Sequence, residues 1–102
     1  MPKYVIAYHG GAKFESPQQG AAQMAKWKAW IESLGDAVVN PGTPLAKGKL
    51  ISARGVSDDG ANLLTGFSMV TADNMDSALE MARRCPYLDH GTIEVAQVME
   101  MK

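Results

Sequence analysis

The chain has 102 residues, 46% of them hydrophobic, which is enough for one compact domain with a modest core and too few to divide comfortably. Ten basic side chains stand against eleven acidic ones for a net charge of −1, and with no basic run longer than Arg83–Arg84 nucleic acid is excluded as a partner. A single cysteine permits no internal disulfide, no apolar run approaches the roughly 20 residues of a membrane span, and the opening MPKYVIAYHGG lacks the long apolar region of a signal peptide, so a cytoplasmic protein without a membrane partner is expected.

Lys3 to Tyr8 opens as a strand, with Tyr4, Ile6 and Tyr8 on one side and Val5 and Ala7 on the other. Both sides are apolar, which predicts that both are covered. His9-Gly10-Gly11 ends this strand in a sharp turn. Ser16-Pro17 is a helix start, a hydroxyl N-cap followed by proline at the first helical position, and Gln19 completes a capping box. The helix is predicted to run to about Leu34 and to end at Gly35, burying Ala21, Met24, Trp27 or Lys28, Ile31 and Leu34, with Trp30 beside that stripe.

Asp36 to Asn40 reads as a short strand that Pro41-Gly42-Thr43-Pro44 leaves as a turn, because two prolines cannot continue a central ladder. Lys49 to Ala53 offers a further extended run, and the polar Gly55 to Asn62 reads as a loop. Phe67, Met69 and Thr71 then alternate with Ser68 and Val70 as a strand. Asn74 is an N-cap, and Met75, Ala78, Leu79 and Ala82 share one face of the helix that follows. That helix closes at Arg83-Arg84-Cys85 ahead of Pro86, and from Thr92 the period returns to two. The order is βαββαβ, which predicts an α+β, ferredoxin-like antiparallel sheet with the first strand between the third and the fourth and both helices on one face. The other face would be left bare and apolar, and a second copy packed sheet to sheet covers it most economically, as a homodimer.

The chain resembles the YCII-related family of small dimeric α+β barrel proteins. The resemblance rests on KYVIAYHGG, the AAQMAKWKAWIESLG helix with its two tryptophans, VVNPGTPL, LTGFSMVTADNMDSALEMARRCP and the final GTIEVAQVMEM, and it spans nearly the full length. It implies the ferredoxin-like fold and a dimer with clefts between helix, sheet and long loop. It also implies a His-Asp pair, the catalytic centre suggested for better-studied relatives, but an ungapped count back from Gly35 puts Met24 and Ser33 at those positions. The first helix holds no histidine, Gln23 being its nearest polar stand-in, and Asp59-Gly60 is followed by Ala61-Asn62 where another branch carries a DGPF-type motif. The dyad is therefore not carried over to this chain.

In the antiparallel layout His9, which ends the first strand, and His90, which precedes the last, share one end of the sheet with Tyr87 and Asp89. An imidazole titrates near neutral pH and a carboxylate fixes its tautomer, so His9, His90 and Asp89 are the candidate catalytic residues. Their bland alternative is a set of loop side chains that cap backbone groups. Without an HxH or HxxxH spacing a metal site is not expected, and neither is a cofactor. Trp27 reads as core, whereas Trp30 lies off the stripe and is expected in a cleft, with Gln23, Tyr8 and Tyr87 as further ligand contacts. Cys85, at a helix C-terminus where the dipole disfavours a thiolate, reads as a buried structural residue. Two function classes follow: a dimer that binds a small organic ligand, or a small enzyme that moves a proton on one.

Overall fold

The computed structural model describes residues 1–11, 16–46, 48–57 and 63–99. Its elements are β1 (Lys3–His9), α1 (Pro17–Leu34), β2 (Val38–Pro44), β3 (Leu50–Ser52), β4 (Gly55–Ser57), β5 (Leu64–Thr71), α2 (Met75–Arg83) and β6 (Thr92–Gln97), with 3-10 turns at Gly35–Ala37 and Pro86–Asp89. The four long strands form one sheet in the order β2-β5-β1-β6, all neighbours antiparallel. β1 therefore lies between the third and fourth of the long strands, the ferredoxin-like arrangement.

Local chemistry sets the ends of both helices. Ser16 Oγ accepts the backbone N–H of Gln19 at 3.2 Å, and Asn74 Oδ1 accepts that of Ser77 at 2.9 Å, so each N-cap satisfies a donor the helix leaves unpaired. Gly35 closes α1 at φ 57°, in the left-handed region that favours glycine. Tyr4, Ile6, Tyr8, Ser68 and Val70 make the buried face of the sheet, and Trp30, Ala78 and Cys85 pack on it from the helical layer. Val5, Ala7, Phe67 and Met69 alternate with that set and are half-buried on the opposite face.

Four sequence expectations are corrected. Trp30 is core: it is 5% exposed and its indole N–H donates to the Met81 carbonyl at 2.9 Å. The stripe of α1 keeps the expected Trp27, Ile31 and Leu34, half-buried against the core, but is centred on Trp30 and extends to Gln23, leaving the expected Ala21 and Met24 exposed. This register lets the helix seat a ring against α2, which a stripe through Met24 would not do. Pro41 and Pro44 do not end β2, because β2 is an edge strand and its outer groups need no ladder partner. The strand passes them with two register shifts against β5, Gly42 taking φ 80° and donating its N–H to Asn40 Oδ1 at 2.8 Å. The expected loop from Gly55 begins instead as a strand, since Gly55–Ser57 pairs with Leu50–Ser52 in a separate hairpin. The rest of that loop, residues 58–62, lies outside the described residues.

Candidate functional site

A cavity of about 190 Å³ opens between α1, the Tyr8 end of β1, the paired ends of β2 and β5, and the Pro86–Asp89 turn. Gly20, Gln23, Met24 and Trp27 line it from one helical face at spacings of three and four residues, and Tyr8, Tyr87 and His90 line it from the other side. Among the described residues no carboxylate, lysine or arginine contributes to its wall.

Backbone irregularity places part of this wall. Tyr8 opposes Gly66 and His9 opposes Leu64, so Thr65 is one extra residue on β5, a bulge that takes it out of the alternation. Its Oγ1 then lies 2.6 Å from Tyr87 Oη and 3.2 Å from the Tyr8 carbonyl. Tyr87 Oη donates to the Gly10 carbonyl at 2.7 Å, which ties the Pro86–Asp89 turn to the end of β1. The ring of Tyr87 stands 5.2 Å from that of Tyr8, and His90 meets it edge-on at 4.5 Å.

Tyr8 sits in a second network. Trp27 Nε1–H donates to Tyr8 Oη at 3.2 Å, Tyr8 Oη is 2.7 Å from Ser68 Oγ, and Ser68 Oγ donates to the Pro41 carbonyl at 2.7 Å. Burial, partly offset by the hydrogen bonds that Tyr8 shares with Ser68 and Trp27, pushes the Tyr8 phenol up to about 12. Burial likewise pushes the Cys85 thiol up to about 11, so it is an inert thiol at neutral pH, in keeping with a buried structural role.

The residues singled out in the sequence divide between this cavity and other places. Tyr8, Gln23, Tyr87 and His90 line it. His9 shares the sheet end with His90, but its side chain alternates with that of Tyr8 onto the opposite face, where Nε2 donates to Glu94 Oε1 at 3.1 Å. Asp89 is exposed and is not part of the cavity wall. The trio of His9, His90 and Asp89 is therefore not assembled, because one strand step turns a side chain to the other face. Trp30 is walled off in the core, and the indole at the cavity is Trp27. The face that begins with Gly20 and Gln23 carries a signal for this: a glycine and an amide in line with Trp27 suit a cavity wall better than a core stripe. The local signal for the Thr65 bulge is Gly66, an isolated glycine inside the strand pattern.

Of the two positions where relatives' dyad would fall, Met24 lies at the cavity and is 40% exposed, while Ser33 Oγ donates to the Trp30 carbonyl at 2.6 Å. Neither is an acid–base group.

No curated protein matches the chain by sequence. Among solved structures it is similar to 5-chloro-2-hydroxyhydroquinone dehydrochlorinase (TftG) from Burkholderia phenoliruptrix in complex with 2,5-dihydroxybenzoquinone, at a TM-score of 0.61 and 16% identity, over 97% of this chain and 95% of that one. That likeness shows the fold. The YCII-related domain matches residues 1–102, and with the strand order and paired helices this places the chain in the YCII-related family.

Proposed function

We propose that the chain binds one small, neutral, ring-shaped organic molecule in the cavity between α1 and the sheet. The observation that carries this is a cavity of about 190 Å³ walled by Trp27, Tyr8 and Tyr87 with no charged side chain among the described residues. An apolar cavity of roughly 150 Å³ accepts benzene, so the space suits a single substituted ring. An anion would lose its hydration there without meeting a lysine or arginine among the described residues. The dehydrochlorinase of the same fold supports the size class, its bound molecule being a six-carbon ring with oxygen substituents. Calorimetric titration with hydroquinone and with benzoate tests the reading: hydroquinone binds and benzoate does not, and Trp27→Phe weakens hydroquinone. Equal binding of both compounds, or an unchanged affinity in the variant, rules out the neutral-ring site.

A second reading, proton transfer on the bound ring, draws on the presence of His90 in the cavity wall beside Tyr87. In it the His90 imidazole acts as the base, without His9 or Asp89. It predicts that the protein accelerates exchange of a ring C–H of resorcinol with deuterated solvent and that His90→Gln abolishes the acceleration. No acceleration by the unaltered protein removes this reading and leaves the binding one standing.

The homodimer belongs to the same proposal. A second copy covers the sheet face of Val5, Ala7, Phe67 and Met69, which the helical layer does not reach.

A further inference from the structure

Among the described residues, the hydroxyl and indole protons on the cavity wall are committed to the protein. Ser68 has one proton and gives it to the Pro41 carbonyl at 2.7 Å, since a carbonyl only accepts. Tyr8 must then donate to Ser68, and its oxygen accepts from Trp27. Tyr87 donates to the Gly10 carbonyl. The single proton of Thr65 goes to the Tyr8 carbonyl or to Tyr87 Oη, and that of Thr43 goes to the Pro44 carbonyl at 3.3 Å. These hydroxyls have lone pairs to offer a ligand and no proton. Gln23 is held differently: its Nε2 donates to the Pro86 carbonyl at 2.8 Å, which fixes the orientation of the amide and turns Oε1 away from Pro86.

Resting on the reading of this cavity as the ligand site, we propose that it selects neutral rings that donate a hydrogen bond, such as phenols, over rings of equal size that only accept one, and that Gln23 Oε1 receives the ligand's proton. A ligand carbonyl or nitrile entering the cavity gives up its hydrogen bonds to water and meets hydroxyls already pointing elsewhere, which costs affinity. A ligand hydroxyl meets acceptors. The second amide proton of Gln23 is a donor that an accepting ligand can use, so the preference is one of degree and is carried by the number of wall oxygens that only accept.

Phenol, benzonitrile and toluene are close in size and differ in this one property: a donor, an acceptor, and neither. Titrated into the full-length, nitrogen-15-labelled protein, each is followed through the two indole N–H resonances. Phenol shifts the Trp27 resonance and leaves Trp30 in place, with a Kd about tenfold below that of benzonitrile. In Gln23→Leu that preference collapses, while toluene binds as before. Benzonitrile binding as tightly as phenol overturns the donor selectivity but leaves the cavity reading intact. A tenfold preference that survives Gln23→Leu overturns the role of Gln23. Failure of all three compounds to move Trp27 overturns the ligand site itself.

Discussion

At the scale of single residues, two tryptophans one turn apart on the same helix do different work. Trp30 is 5% exposed and hydrogen-bonded to α2, whereas Trp27 is half-buried at the cavity with its N–H on Tyr8. Trp30→Ala is expected to cost about 3–5 kcal/mol, a large part of the stability of a domain this size. Trp27→Phe keeps the ring wall and gives up one hydrogen bond, at a cost of about 1 kcal/mol. Urea titrations measure both, and iodide quenching of the single-tryptophan variants reaches Trp27 more readily than Trp30. Equal quenching of the two would contradict the burial difference. Tyr8 and Cys85 make a pH prediction. Both folded pKa values are raised above the unfolded ones, so the folded state holds these protons more tightly. Their contribution is fully present below the unfolded values and is lost as pH rises, from the ordinary thiol range through about 11 for Cys85 and about 12 for Tyr8. The denaturant midpoint should fall across that alkaline window, and Tyr8→Phe should flatten the upper part of the fall.

Among the elements, β2 has a geometry that depends on a specific residue. Gly42 sits at φ 80°, and a Cβ there would collide with the Phe67 carbonyl of the neighbouring strand. Gly42→Ala combines left-handed strain with that clash, so a loss of more than about 1 kcal/mol is expected. The damage falls on the pairing of Thr43 and Pro44 with β5, beside the cavity. Thermal unfolding of the variant, together with weaker hydroquinone binding, checks this; an unchanged melting temperature would mean that β2 can re-register without Gly42. The β3–β4 hairpin is also distinctive. Leu50, Ile51 and Val56 are 54%, 81% and 63% exposed, so its strands are held by their own pairing and turn rather than by burial against the sheet.

For the whole molecule, the question is what the second face of the sheet meets. Because Tyr4, Ile6 and Tyr8 face the helices, Val5 and Ala7 lie on the opposite face, the one the proposed second copy would cover. Sedimentation at micromolar concentration is expected to give twice the chain mass. Val5→Glu places a charge in that contact and should yield a folded monomer, since the position is half-buried within the single chain. A monomer for the unaltered protein would refute the sheet-to-sheet dimer. The helical face would be unaffected by that outcome.

The sequence by itself determined what depends on neighbours along the chain. The caps at Ser16 and Asn74, the stop at Gly35, the two-residue period of β1 and β5, and the sharing of one sheet end by His9 and His90 all follow from local sterics, hydrogen bonding and strand order. The tertiary structure decided what depends on rotation and register. A turn of α1 by one position exchanged the roles of Trp27 and Trp30, an edge location let β2 pass two prolines, and a bulge brought Thr65 to Tyr87. It also set His9 against Glu94 while His90 reached the cavity. The physical reason is common to all of these: helix rotation and strand register are set by the packing of surfaces far apart in sequence, where a step of one residue redirects every side chain.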